Sequence, residues 1–286
     1  MDIFSHSVVI ITGAGSGIGR QLAIQAVASG ASVIATDINE AGLTETREAA
    51  SGDMTTVRLD VADADAIKAF SEQTIPTLKN RRLILINNAG VALGSGPFAE
   101  TDLTDFEWLL SINLWGVIRM TKAFLPYMLA QDRAGGPASH IVNLSSVFGL
   151  AGVMHQSAYC TAKFGVRGFS DALRMELLDT AIGVTCVHPG GIKTNIALNA
   201  RIGKNSPVTD AIHQQSVTSF EKVARTTSAE AARQIWQGIN KNKARILIGA
   251  DARMIERLTR LFPSSYVKMM RKQIVNMFTN NGKEIF

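Results

Sequence analysis

Tyr159 and Lys163 stand four residues apart, and Ser146 precedes the tyrosine by thirteen. At the shorter spacing a phenol and an ammonium share one face of a helix, within reach of each other. A phenol in water titrates near ~10, too high for acid–base work at neutral pH. A neighbouring cation favours the phenolate, which predicts a lowered value at Tyr159. A serine arriving from the end of a preceding strand can hydrogen-bond the same substrate oxygen. The three groups fit proton transfer to and from an alcohol or carbonyl oxygen.

A partner for that chemistry is suggested near the N-terminus. Ser7–Thr12 is a short apolar, β-branched run that reads as a buried strand. It leads into Gly13-Ala14-Gly15-Ser16-Gly17-Ile18-Gly19 and then a helix that stops at Gly30. Strand, glycine turn and helix N-terminus make an anion site, with free N–H groups and the positive end of the dipole facing a pyrophosphate. The spacing is GxxxGxG, which departs from the strict GxGxxG fingerprint. Asp37 closes the next strand, Ser32–Asp37, where a carboxylate can accept from both hydroxyls of an adenosine ribose. It would repel a 2′-phosphate, and Ser16–Ile18 and Ile38–Asn39 contain no Arg or Lys. NAD is therefore expected over NADP.

Positioning these groups requires a particular frame. Strands are predicted at 7–12, 32–37, 55–60, 83–87, 139–144, 183–188 and 245–248. Helices fill the intervals, including long ones over about 104–130 and 157–178. Thr104–Glu107 and Thr227–Glu230 read as capping boxes. Apolar strands alternating with helices predict an α/β fold, a doubly wound Rossmann-type parallel sheet of about seven strands with helices on both faces. Right-handed crossovers put ligands at its carboxyl edge, where the motifs fall.

The residues resemble the short-chain dehydrogenase/reductase family. The match runs through Thr12-Gly13 to Gly19, Asp60-Val61, Asn87-Asn88-Ala89-Gly90 and Asn113. It continues through Ser146, Tyr159/Lys163, and Pro189-Gly190-Gly191-Ile192-Lys193-Thr194, in the family's order over roughly residues 5 to 250. The resemblance implies a catalytic set of Asn113, Ser146, Tyr159 and Lys163. Tyr159 exchanges the proton while Lys163 binds the nicotinamide ribose and stabilises the phenolate. Ser146 orients substrate in preference to Ser145, because the family's interval to the tyrosine is thirteen. Asn113 interrupts a helix and holds a water that links Lys163 to solvent. Cofactor contacts are implied at Gly13, Ser16, Gly17, Ile18, Gly19 and Asp37, and at Asp60 and Val61 for the adenine. Asn87, Ala89 and Gly90 follow beneath the ribose, then Tyr159, Lys163, Pro189, Gly190, Ile192 and Thr194.

Substrate contacts are expected from the segment between serine and tyrosine, chiefly Ser146, Phe148, Val153, His155 and Tyr159. Its apolar side chains, Leu150 and Met154 included, favour a hydrophobic secondary alcohol or ketone. His155 could supply one polar contact or act as a cap. Residues 195–225 read as a helical lid within a catalytic domain of residues 1–250. Beyond it, 251–286 forms a helical extension in which Met254, Leu258 and Leu261, then Val267, Met270, Ile274 and Met277, recur at helical spacing. Packing on the domain or a partner, a flap over the pocket, and contact with an anionic membrane surface all fit this pattern.

Composition bounds the rest. The chain has 286 residues, 46% of them hydrophobic, enough for one large core. No apolar run approaches the ~18–20 residues of a membrane span, and no signal segment is evident. Two cysteines, Cys160 and Cys186, offer no disulfide framework, so a cytoplasmic protein is expected. A net charge of +5 with dispersed basic residues argues against nucleic acid. The five histidines show no metal-binding spacing, and no metal is expected. The resemblance implies a homodimer or homotetramer. A dinucleotide-binding sensor without turnover is the alternative class, and a 3-oxoacyl reductase the alternative enzyme.

Overall fold

The structure, a computed structural model, describes residues 3–271, 279–280 and 283–284. The first half comprises β1 (Ser7–Thr12), α1 (Gly17–Ala28), β2 (Ser32–Asp37), α2 (Glu40–Glu48), β3 (Met54–Arg58), α3 (Ala64–Thr74) and β4 (Arg82–Asn87). Then come β5 (Leu93–Gly94), α4 (Leu103–Leu110), a π-helical stretch (Ser111–Gly116), α5 (Val117–Arg133), β6 (His140–Leu144), α6 (Ser157–Glu176) and β7 (Gly183–Pro189). The remainder holds β8 (Ile192–Lys193), β9 (Arg201–Ile202), α7 (Asp210–Val223), β10 (Thr226–Thr227), α8 (Ser228–Asn240), β11 (Arg245–Ile248) and α9 (Ala250–Leu261). Residues 266–271 are helical, and β12 (Thr279–Asn280) pairs with β13 (Lys283–Glu284).

Seven strands form one parallel sheet in the order β11-β7-β6-β4-β1-β2-β3. The central strands β1 and β4 are largely apolar because both faces are covered. Val9, Ile11, Ile84 and Ile86 face one core, shared with α1 and α8. Val8, Ile10, Leu83 and Leu85 face the other, under α3, α5 and α6. This period of two leaves no polar face on the central strands. Phe124 of α5, fully buried against Phe70, illustrates the packing; truncating such a side chain typically costs about 3–5 kcal/mol.

The chain reverses direction across the sheet between β1 and β4, which opens a crevice at their carboxyl ends. Two sequence expectations shift locally. β3 ends at Arg58, so Asp60 lies in the turn beyond it, with Oδ1 accepting from Ala62 N at 2.8 Å. Thr104 does not cap α4; Asp102 does, accepting from Thr104 N at 2.8 Å. A carboxylate two residues upstream outcompetes the hydroxyl for the free N–H groups. Thr227 caps α8 as expected, accepting from Glu230 N.

α9 is helical, yet Met254 and Leu261 face outward, and Ala252 is its buried residue. Ile274 and Met277 lie outside the described residues. No helix among the described residues is long and apolar enough to cross a membrane.

Candidate active site

The crevice is built by hydrogen bonds that hold its two walls together. Thr12 Oγ1, at the end of β1, accepts from Asn88 N and Ala89 N, both at 3.0 Å. Asn88 Nδ2 returns to Thr12 O and Gly13 O, each at 2.9 Å. Gly13 takes φ +67°, and a Cβ there would run 2.7 Å from the Ala89 backbone. Only glycine meets both demands. Asn88 was absent from the expected contacts, although its neighbours were included; its role is to lock the glycine turn to the end of β4.

The turn opens onto the N-terminus of α1. Ser16 occupies the N-cap without a side-chain cap bond, so no cap side chain takes up the first-turn N–H donors. Gly17, at φ +54°, faces the Thr194 methyl, which a Cβ would meet at 3.2 Å. At the far end Asp37 closes β2, its Oδ2 accepting from Gly15 N at 2.8 Å and Oδ1 from Asn39 N at 2.9 Å. Arg20, near the start of α1, is bound to Gly15 O, Gly42 O, Thr46 Oγ1 and Glu45. A cradle with backbone donors at one end and a fixed carboxylate at the other fits the pyrophosphate and adenosine ribose of a dinucleotide.

Other expected contacts divide by side-chain direction. Val61 is buried against Gly116, and Asp60 is half-buried beside it. Asn87 turns inward, donating to Asn143 Oδ1 at 2.8 Å and Thr121 Oγ1 at 3.0 Å. Gly90 is exposed and lies over Asn113 and Lys163; a Cβ there would stand 3.4 Å from Asn113 Oδ1 and 3.5 Å from Lys163 Nζ. Pro189 ends β7, and Gly190 N donates to Ile248 O at 2.9 Å. Ile192 then pairs with Thr226 in the β8–β10 ladder. Asp251 of α9 accepts from Gly191 N at 2.7 Å and so supports this turn. Sequence reading missed that contact, since sixty residues separate the partners.

Tyr159 and Lys163 lie in the first turns of α6, with the ammonium 5.5 Å from the phenol ring centroid. Lys163 is buried, and its Nζ donates to Leu144 O at 2.9 Å. The two adjacent serines separate cleanly. Ser145 Oγ donates to Lys163 O at 2.8 Å, whereas the Ser146 hydroxyl hydrogen-bonds the Tyr159 phenol. Behind Ser146, fully buried His188 sets Nδ1 3.0 Å from the Ser146 carbonyl. A carbonyl only accepts, so this nitrogen carries the proton. Burial draws His188 down to about 4, which keeps the ring neutral.

Asn113 lies in the π-helical stretch, fully buried. Its Oδ1 accepts from Val91 N and its Nδ2 donates to Val91 O, both at 2.8 Å. The amide thus pairs with the backbone as a neighbouring strand would. Val91 engages both ends of the side chain.

The phenol departs from expectation. Burial pushes Tyr159 up to about 12, against the lowering by the Ser146 hydrogen bond. The Cys160 thiol adds a further rise. Lys163 moves down to about 8, also through burial. The ammonium is directed at a carbonyl, so desolvation outweighs the cation's pull on the phenol.

Around the tyrosine the wall is apolar. Phe148 meets Tyr159 edge-on, with centroids 5.8 Å apart. Val153 is half-buried, Leu150 is buried in the interior, and Met154 is exposed. His155 has φ +60°, unusual for a non-glycine residue, and its carbonyl accepts from Ser95 Oγ at 2.8 Å. It does not cap α6; Gln156 holds that position. Residues 201–204 are tied to α4. Asp105, buried, takes an ion pair from Arg201 at 2.9 Å and a bond from Lys204 N at 2.7 Å, while Arg201 stacks on Trp108. Among the described residues no cluster of His, Cys, Asp and Glu could hold a metal ion.

The short chain dehydrogenase family model matches residues 7–205. SadH of Mycobacterium tuberculosis, which bears an oxidoreductase name, is 37% identical over 285 residues, covering 97% of this chain and 99% of that protein. Human retinol dehydrogenase 16 is 34% identical over 236 residues, 78% of this chain and 72% of that protein. A short-chain dehydrogenase from Streptomyces avermitilis superposes with a TM-score of 0.77 at 26% identity, covering 93% of this chain and 97% of that one.

Proposed function

The chain belongs to the short chain dehydrogenase family, and on that premise we propose that it is an NAD-dependent oxidoreductase interconverting a hydrophobic secondary alcohol and its ketone. The observation that carries this reading is the junction of Ser146, Tyr159 and Lys163 at the mouth of the β1/β4 crevice. Those three groups address one substrate oxygen.

In reduction, Tyr159 gives its proton to the carbonyl oxygen; in oxidation it removes one from the hydroxyl. Its raised value keeps it protonated at neutral pH, ready as an acid. Ser146 hydrogen-bonds the same oxygen and lowers the phenol. Lys163 adds a positive charge across the ring and holds the end of β6 through Leu144 O, while Asn113 fixes the segment after β4 through Val91. A nicotinamide dinucleotide supplies the hydride donor or acceptor, together with the positive charge of its oxidised ring. Gly13, Ser16 to Gly19, Asp37, Asp60, Val61, Asn87, Ala89 and Gly90 would hold it, with Tyr159, Lys163, Pro189, Gly190, Ile192 and Thr194 completing the contacts.

Asp37 supports NAD over NADP. Its carboxylate is fixed at the ribose end, and Arg20 is committed to backbone carbonyls and Glu45. The apolar wall of Phe148 and Val153 supports a hydrophobic substrate, with His155 as its polar contact. A relative named retinol dehydrogenase agrees with an apolar alcohol, although retinol itself is a primary one. Residues 195–225, anchored at Asp105, would cover the substrate within a catalytic domain of residues 1–250, with 251–286 as an extension. Exposed Trp115 and Phe164 support a homodimer or homotetramer through the long helices.

The test is a set of initial rates, followed by reduced-nicotinamide absorbance, with NAD and NADP in parallel across secondary alcohols of increasing size. Turnover with NAD on bulky apolar alcohols is the expected result. Dinucleotide binding without turnover on any alcohol or ketone would favour the sensor reading instead.

A further inference from the structure

α9 separates its charges by face. At about 100° per residue, Arg253, Arg257 and Arg260 fall on one strip, with Met254 and Leu261 directly beside it. These five side chains are exposed, Met254 by 56% and Leu261 by 72%. Neither carboxylate of the helix is exposed, although Glu256 borders the strip and reaches Arg260 at 3.9 Å. Asp251 accepts from Gly191 N, and Glu256 pairs with Arg245 at 3.0 Å. The outward face is therefore basic and apolar, with Arg253 and Arg257 facing no carboxylate of the helix and Glu256 half-buried at its edge.

The pattern continues past the helix. Phe262, Val267 and Met269 are exposed, and so are Lys268 and Arg271. Between them Tyr266 points back, its hydroxyl accepting from Gly152 N at 3.1 Å. Gly152 lies in the loop joining Ser146 to Tyr159, and Met154 of that loop is exposed as well.

We propose that this face adsorbs to an anionic lipid bilayer, with the arginines at the headgroups and Met254, Leu261 and Phe262 in the interfacial layer. A basic strip beside an apolar one is the arrangement that such a surface attracts through both terms. A second copy fits it poorly, because the same face on both partners would bring six arginines into one interface with no exposed carboxylate of α9 to pair them. Adsorption here places the substrate loop beside the bilayer. That consequence rests on the proposed function, whereas the binding itself does not.

The test is flotation of the full chain with vesicles of phosphatidylcholine alone or with about 30% phosphatidylglycerol. The chain should float with the anionic vesicles only, and about 0.5 M salt should release most of it. Arg253→Gln, Arg257→Gln and Arg260→Gln together should cut the bound fraction by about tenfold. Met254→Ser with Leu261→Ser should weaken binding while leaving its salt dependence. Circular dichroism and dinucleotide binding check that each variant is folded. No flotation with anionic vesicles, or undiminished flotation of the triple variant, overturns the proposal. So does a dimer, seen by light scattering, that Met254→Ser with Leu261→Ser dissociates, since a second copy would then cover the face.

Discussion

Asn113 meets Val91 twice, through Oδ1 to the backbone N–H and through Nδ2 to the carbonyl, both at 2.8 Å. The side chain thereby acts as one residue of an absent strand and pins the segment after β4 to the helix facing it. An asparagine is unfavourable inside a helix because it competes for backbone bonds. Here that competition is resolved in favour of Val91, and the helix widens to a π-helical stretch at Ser111–Gly116.

Replacing Asn113 with Ala leaves both groups of half-buried Val91 without their partner. The loss should be about 2–4 kcal/mol, read as a fall in the urea midpoint at constant slope. Asn113→Asp keeps the acceptor and loses the donor, so it should not restore stability. A wild-type midpoint in Asn113→Ala would mean that the pair contributes nothing net.

Tyr159→Phe tests the chemistry. The phenol ring packs against Phe148, and its hydroxyl bonds Ser146, so the substitution removes one polar atom and keeps the wall. We expect kcat to fall by about 10² to 10⁴ with dinucleotide affinity nearly unchanged. Rates within about threefold of the parent would remove Tyr159 from proton transfer.

The parallel sheet was legible because burial on both faces forces continuous apolar strands such as Val8–Ile11, bounded by glycine and asparagine turns. Ser146, Tyr159 and Lys163 were legible from spacing, since neighbouring turns of one helix and one strand end fix their separation. Contacts across long stretches of chain were not. Asp251 supporting Gly191, and Asp105 gripping Arg201, depend on how the turns after β7 fold back. No local pattern encodes that. The direction of the Tyr159 shift was misjudged for a related reason. Spacing shows that Lys163 is near the phenol, but only the packed structure shows how far both are removed from water and that the ammonium is spent on Leu144 O.

Cofactor choice should turn on Asp37. Asp37→Asn retains an acceptor toward Gly15 N but removes the negative charge. Adding Ile38→Arg supplies a cation at an exposed position beside it. The NADP/NAD ratio of kcat/KM should rise by at least about tenfold in the double variant, which corresponds to roughly 1.4 kcal/mol of differential binding. Asp37→Ala with the same arginine should shift the ratio too but lose stability, because Gly15 N and Asn39 N lose their acceptor. An unchanged ratio in both would exclude Asp37 as the discriminating group.

Acid should destabilise the fold before it affects the carboxylates. His140 and His188 are buried, and burial lowers each to about 4 from the ordinary 6.5. Below pH 6.5 the unfolded chain takes up protons that the folded chain refuses until about pH 4. Stability present above the unfolded value is therefore lost as pH falls through this window. Each ring contributes on the order of 3 kcal/mol if its shift is fully realised. Urea titrations at intervals across that window should show the midpoint falling steeply. His140→Gln keeps a donor toward Thr185, which His140 Nε2 now meets at 2.8 Å, and removes one titrating group. Its acid limb should be shallower than the parent's even if its stability at neutral pH is lower. Parallel acid limbs in the two proteins would show that His140 is not a source of the loss.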